Sequence, residues 1–364
     1  MRVALVATHH AEYAANLALA LAADHDVLLV LSRRNAARQL RQDAMRLLAD
    51  RLTLRIVPHH YAPLQPWIAR MCERHVTRFD ADVVHVQEHP TRSMGLLARR
   101  LNGRLPLVAT VHDPKPHSGG DAAAAATFAR HYAELRTRAD ALVAHGQVMA
   151  DALAATGIAP DKIAAIPHGV LRFGRLAPAP LDAAVEPNRL IFFGRMEAYK
   201  GLDTLLAANR LWLARGVPVQ LTVAGAGPEL DRHREALAAP NIRLLAGRVP
   251  QEQLDALVAG SAAALLPYHD ATQSGVVGSA FGAGRPVICS AVGGLPEAVG
   301  PAGLLVPPGD PEALAEAGAR LVNEPALLDQ LARAAADRAK GELGWASVAV
   351  RTAALYRRLQ GSRG

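Results

Sequence analysis

The chain has 364 residues, more than a single hydrophobic core usually organises, so two domains are the natural expectation. Hydrophobic residues make up 51% and charged residues 20%, a balance that excludes a disordered chain and supplies two buried cores. Lys and Arg number 40 against 33 acidic residues, a net charge of +7 that suits anionic ligands or an acidic membrane surface. No basic stripe is interleaved with aromatics, which argues against nucleic acid as a partner.

Cys72 and Cys289 are the only cysteines, and neither has a neighbour at metal-ligand spacing. They fit a reducing cytoplasm. The opening MRVALVATHH is too short an apolar run for a signal-peptide core, and no apolar stretch is long enough to span a bilayer. The expected location is therefore cytoplasmic, with room for peripheral contact on the inner face of the membrane.

Val3 to Ala7 reads as a short apolar strand, followed by a loop at Thr8 to Ala11 and a helix from Glu12 to Ala23 with Tyr13, Leu17 and Leu21 on one face. Val27–Leu31, Leu54–Val57, Val83–Val86, Leu107–Val111, Ala141–Ala144 and Ile163–Ile166 continue as strands, with helical stretches near Ala36–Leu48, Leu64–Phe79 and Ser93–Leu101. Fully apolar strands alternating with helices predict a parallel sheet covered on both faces. RLAPAPLDAAVEPN, Arg175 to Asn188, has three prolines and little periodicity, as a linker does. The pattern then restarts with strands at Leu190–Phe193, Gln220–Ala224, Ile242–Leu245, Ala263–Leu266, Val287–Cys289 and Gly303–Val306. The fold class is thus α/β, two doubly wound Rossmann-like domains with parallel sheets. The first covers residues 1–174, the second 188–342, and a terminal segment 343–364 follows.

Ligands of such sheets bind beyond the carboxyl ends of the strands. After LIFF the loop GRMEAYKG carries Gly194, Arg195 and Lys200, two cations beside a helix start that suit a diphosphate, or else a solvated pair on a helix surface. After LTVA, Gly225 and Gly227 allow either a close ligand approach or simply a tight turn. The dinucleotide fingerprint is incomplete there, which disfavours a nicotinamide cofactor. Ser274, Gly275 and Val276 open a helix with amides able to meet an anion, and Gly293 and Gly294 precede Glu297. In the first half His112 stands at the end of LVATV, and His9, His10 and His168 are expected on the same edge, where imidazoles exchange protons with hydroxyls or simply fill structure. No hydrolase elbow, phosphate-binding GK[ST] loop or zinc-helix motif is present.

The ordered set FFGRMEAYKGLDTLL, LTVAGAGPEL, IRLLAGRVPQEQL, TQSGVVGSAFGAGRPVI and GGLPEAV resembles family 4 of the retaining glycosyltransferases, which have the GT-B fold with two domains facing a central cleft. DVVHVQEH, TVHD and IPHGV extend the resemblance into the first half. It implies that Arg195 and Lys200 bind the donor diphosphate in a pocket lined by Gly194, Gly225 and Gly227, and that Arg248 and Val249 hold the base. It also implies that Ser274, Gly275 and Val276 meet the sugar and phosphate, that Glu297 lies on the donor side, and that His112 lies near the donor sugar. His9, His10 and His168 fall on the acceptor side, and residues from Trp345 to Leu359 resemble the terminal helix that returns to the first domain. Two departures stand out. The family's usual pair of glutamates falls on Ala271 and Ser279, and a frequent Gly-Gly pair falls on His9 and His10.

The function implied is retaining transfer of a sugar from a nucleotide-diphosphate sugar to a glycan or lipid-linked acceptor, in cell-surface polysaccharide or glycolipid synthesis. Neither cofactor nor metal is expected. The alternatives are a non-catalytic sugar-nucleotide-binding protein, or a related GT-B phosphorylase or epimerase.

Overall fold

The computed structural model describes residues 1–58, 64–89, 91–114, 120–176 and 184–361. Within the expected linker, residues 177–183 lie outside the described residues, as do 115–117 of the HDPKPH loop. The chain divides into two compact units: the first comprises Met1–Gly169, Gly174–Pro178 and Trp345–Gly364, the second Val170–Phe173 and Ala179–Gly344.

The first unit is built on a seven-stranded sheet of β1 (Arg2–Ala7), β2 (Asp26–Ser32), β3 (Thr53–Val57), β4 (Val83–Gln87), β5 (Leu107–Val111), β6 (Ala141–Ala144) and β7 (Ile163–Ala165). Its order is β3-β2-β1-β4-β5-β6-β7, and every pairing is parallel. Alternate residues of β1 enter separate cores: Val3, Leu5 and Ala7 face one, Ala4 and Val6 the other. That is why the strand is apolar throughout rather than alternating. The first of these cores also takes Val348 and Tyr356 from the helix Trp345–Gly361. His85 of β4 locks that helix down: its ring nitrogens lie 2.6 Å from the Tyr356 hydroxyl and 2.7 Å from Thr110 Oγ1.

The second unit carries β8 (Glu186–Arg195), β9 (Gln220–Ala226), β10 (Ile242–Ala246), β11 (Ser261–Leu266), β12 (Val287–Ser290) and β13 (Gly303–Val306). Their order is β10-β9-β8-β11-β12-β13, again all parallel. In both sheets the order reverses beside the first strand of the unit, between β1 and β4 and between β8 and β11. Crevices form at such switch points, beyond the carboxyl ends.

Two boundaries differ from expectation. The single helix expected over 36–48 is two, Arg33–Gln39 and Gln42–Arg51, because Leu40 turns extended and the Arg41 N–H donates to Gly174 O at 3.1 Å. Residues 186–188, expected in the linker for want of apolar alternation, begin β8: Glu186 pairs with Ser261, and the register shifts between Ser261 and Ala263. Pro187 cannot donate to a ladder, and an irregularity beside it is where a proline is accommodated in a sheet. Among the described residues no helix is long and apolar enough to cross a membrane.

Candidate functional site

In the second unit β8 delivers Gly194 and Arg195 to the carboxyl edge, and the one-turn helix Ala198–Lys200 follows. Lys200 is only 7% exposed, and its ammonium donates to the Tyr268 hydroxyl at 2.8 Å while standing 4.6 Å above the same ring. A β-carbon built on Gly194 would touch Lys200 Nζ at 3.4 Å, an ordinary contact, so what favours glycine there is its φ of 117°. A desolvated ammonium held by a hydroxyl and an aromatic face attracts an anion strongly, because little water competes. Arg195 is exposed and donates to the Tyr199 hydroxyl at 3.1 Å.

Gly225 and Gly227 have φ of 154° and 156°, in the range that glycine favours. The sequence left a close ligand approach and a tight turn both open, and the protein's own backbone stands where a side chain would be: a β-carbon on Gly225 would lie 1.9 Å from Gly194 O, and one on Gly227 would lie 2.3 Å from Met196 O. These glycines let the ends of β8 and β9 close on each other and so fix the loop that carries Arg195.

Ser274 caps the helix Gly275–Gly282, with its Oγ accepting from Val276 N at 3.2 Å. The Val276 amide, expected to face an anion, is thus committed to the cap. Ser279 is buried on this helix and Ala271 is buried just before it. Gly294 N donates to Thr272 O at 3.0 Å and Gly293 abuts Ala271 O, so the loops after β11 and β12 are joined. Glu297 sits exposed on the short helix Leu295–Val299, and its carbonyl accepts from Arg338 at 3.2 Å. Arg248 is exposed and Val249 half-buried, both just beyond β10.

In the first unit the carboxyl edge gathers more histidines than the sequence singled out. His9 and His10 follow β1, His89 follows β4, His112 follows β5, His145 follows β6 and His168 lies shortly after β7. The His10 ring stacks on His112 with centroids 3.7 Å apart, and His9 stacks on His89. Tyr13 meets His112 edge-on at 5.3 Å and Trp345 at 5.0 Å. His10 has φ 57°, the left-handed conformation that a glycine would adopt without strain, so the departure from Gly-Gly carries a backbone cost here. Asn35 Oδ1 accepts from Ala11 N at 2.8 Å and holds the turn in place.

Burial depresses these imidazoles. His10 and His168 fall to about 4, chiefly through desolvation, and His112 and His145 fall well below 6.5 through desolvation and neighbouring imidazoles. All four are neutral at pH 7, able to accept or relay a proton. Behind them Arg136 forks Glu88 at 2.7 and 2.6 Å and also donates to Asp113 O at 3.1 Å. Burial raises the Glu88 carboxyl against the opposing pull of Arg136.

His89, His145, Glu88, Arg136 and Tyr268 were not singled out in the sequence. The signal for the histidines was available, since each stands within a few residues of a strand's carboxyl end. For Arg136 and Tyr268 spacing gives no clue.

With this geometry in view, two family models divide the chain: "Glycosyltransferase Family 4" matches residues 10–170, and "Glycosyl transferases group 1" matches residues 187–324. A D-inositol 3-phosphate glycosyltransferase of Catenulispora acidiphila is 31% identical over 312 residues, covering 78% of this chain and 74% of the relative. The chain belongs to this glycosyltransferase family. A glycogen synthase of Mycobacterium tuberculosis is 33% identical over 179 residues, 47% of this chain, and that match spans 42% of the relative's length. Among solved structures, Anabaena HepE in complex with UDP-glucose aligns with a TM-score of 0.70 at 16% identity, over 98% of this chain and 100% of that one. Its fold is shared. Family membership and the two parallel Rossmann-like sheets agree with the resemblance read from the motifs.

Proposed function

We propose that this family member is a retaining glycosyltransferase that moves a sugar from a nucleotide-diphosphate donor to an acceptor hydroxyl. The observation that carries the proposal is the desolvated Lys200 ammonium, fixed by Tyr268 beside Gly194 at the switch point of the second sheet. As the glycosidic bond to the diphosphate breaks, negative charge grows on the leaving phosphate, and a cation already in place stabilises it without reorganisation. Arg195 would supply further positive charge, and the loop glycines set the backbone that presents both. That Anabaena HepE was solved with UDP-glucose supports a uridine or related nucleotide sugar as donor.

Retention of anomeric configuration follows if the acceptor hydroxyl attacks from the face the diphosphate leaves. No carboxylate occupies the positions of the family's glutamate pair, and we assign no protein nucleophile. His112 is assigned to the donor sugar and His9, His10 and His168 to the acceptor side, where the neutral imidazoles of His10 and His168 can take a hydroxyl proton. The acceptor class we favour is a glycan or lipid-linked sugar in cell-surface assembly, on the cytoplasmic side, and low-salt vesicle binding tests the membrane part.

The test combines thermal shift with UDP, GDP, ADP and their sugars, since a ligand of the folded state alone raises its stability, with nucleoside diphosphate release in the presence and absence of acceptors. A rise with one nucleotide and acceptor-dependent release are expected. Donor binding with no release across acceptors would leave a binding protein, and a free, epimerised sugar would make it an epimerase.

A further inference from the structure

The outer surface of the first unit carries a feature that the histidine edge does not use. On the helix Gln65–Phe79, Ile68, Ala69, Cys72 and Val76 are buried in the core, while Trp67, Arg70, Arg74 and Arg78 form one exposed stripe on the opposite side. The helix Arg92–Leu101 beside it adds Arg100, and Arg104 follows. Together with Glu73 these five arginines line a groove of about 510 Å³. Glu73 is shared between Arg100 at 3.2 Å and Arg104 at 3.0 Å, which leaves the stripe uncompensated: among the described residues, Arg70, Arg74 and Arg78 have no ion-pair partner.

Like charges four residues apart destabilise a helix, so the stripe is not there for the helix's sake. Its field acts on the nearby imidazole: burial, then the guanidinium groups of Arg55, Arg78 and Arg74, hold His75 below the usual 6.5. The imbalance extends to the whole unit. The first unit has 25 Lys and Arg against 15 Asp and Glu, the second 15 against 18. At the head of the stripe Trp67 is 51% exposed and Leu64 41%. That end lies at the carboxyl edge of the sheet, since the Gln65 side chain accepts from the Arg92 N–H at the start of the helix that follows β4. An indole in line with guanidinium groups suits a surface with an anionic outer layer over an apolar one: the ring settles at the boundary and the arginines meet phosphates.

We propose that this stripe docks the first unit on a bilayer of anionic phospholipid, with Arg70, Arg74 and Arg78 on headgroup phosphates and Trp67 and Leu64 at the interface. Arg100 and Arg104, held by Glu73, extend the basic field. The inference deepens the reading of a lipid-linked acceptor, because a unit docked by this end brings its carboxyl edge to the membrane where such an acceptor resides. A soluble polyanion uses the arginines alone and leaves Trp67 in water.

The test is sedimentation of the full chain with phosphatidylglycerol vesicles and with phosphatidylcholine vesicles, at low and physiological salt. Expected is binding to the anionic vesicles only, weakening as salt rises. Each arginine near such a surface contributes about fivefold in affinity, so the combined variant Arg70→Gln, Arg74→Gln, Arg78→Gln should lose roughly 10²-fold. A control variant, Arg351→Gln, Arg357→Gln, Arg358→Gln, removes as many exposed charges from the helix Trp345–Gly361, which packs in the other core of this unit, and should keep its binding. Of the three tryptophans Trp212 is fully buried and Trp345 half-buried, so quenching by brominated phosphatidylglycerol should come from Trp67 and vanish in Trp67→Phe. No binding at low salt, equal loss in the two triple variants, or bound protein that brominated lipid does not quench would overturn the proposal. None of these readouts needs turnover, and nucleotide binding is measured separately, so failure here is distinguishable from failure of the transferase reading.

Discussion

Replacing Lys200 by Ala removes a cation that is 7% exposed and fixed 2.8 Å from the Tyr268 hydroxyl. Two consequences can be separated. For the fold, the lost packing of the aliphatic stem is offset by removing a desolvated charge, so the unfolding free energy should change by only about 1 kcal/mol. For the reaction, one preorganised donor facing developing charge contributes about 3 kcal/mol, roughly a 10²-fold fall in turnover. Tyr268→Phe leaves the charge but removes the hydrogen bond that aims it, a charge-assisted contact of about 1.5 kcal/mol, so a loss near tenfold is expected. The assay is acceptor-dependent nucleoside diphosphate release at saturating donor, with donor affinity measured separately by calorimetry. Turnover of Lys200→Ala within threefold of the unaltered chain, with its fold intact, would refute the assignment.

Three further outcomes follow from the packing. Gly225→Ala forces a methyl to within 1.9 Å of Gly194 O, so the ends of β8 and β9 must separate; a lower melting temperature together with weaker nucleotide binding is expected, and loss of neither in a melting and titration series would contradict the close-packed loop. Tyr356→Phe strips buried His85 Nδ1 of its 2.6 Å partner and should destabilise the first unit by about 1–3 kcal/mol in a denaturant titration. His85 itself is pushed by burial from 6.5 to about 3, so the folded chain keeps it neutral while the unfolded chain takes a proton below 6.5; stability is therefore full above that pH and falls as pH drops through the window toward 3. Its share of the slope is about 1.4 kcal/mol per pH unit, and His85→Gln should flatten the stability profile by that one proton.

The sheets were legible in the sequence because each strand is buried on both faces and announces itself as an unbroken apolar run, Val3–Ala7 and Val83–Val86 among them. Where polar residues enter a strand the signal fails: β8 begins at Glu186, and only the backbone pairing with β11 makes it a strand. The loops were legible in position but not in cause. Gly225 and Gly227 read as permitting a ligand approach or a tight turn, and the carbonyls of Gly194 and Met196 are what leave no space for a side chain at either. Lys200 was visible as a cation near a helix start, but the burial and the Tyr268 contact that separate it from a solvated lysine come from a residue 68 positions away.

The histidines make the same point more sharply. His112 and His168 could be placed on one edge by topology, yet His145 was passed over inside ALVAHGQ, because a single histidine after a strand carries no weight until its partners are known. The decisive facts are which ring nitrogen meets which oxygen and that His145 Nε2 and His112 Nδ1 are hydrogen-bonded at 3.2 Å. Those are properties of side-chain rotation, set by Gln87 on one strand and by the Ile166 and Gly169 carbonyls beyond another. A parallel sheet converts strand order into adjacency at its carboxyl edge, so residues remote in sequence converge there without any local motif. A sequence of this class therefore tells where to look, and the hydrogen-bonded contacts among the converging side chains tell what the edge is made of.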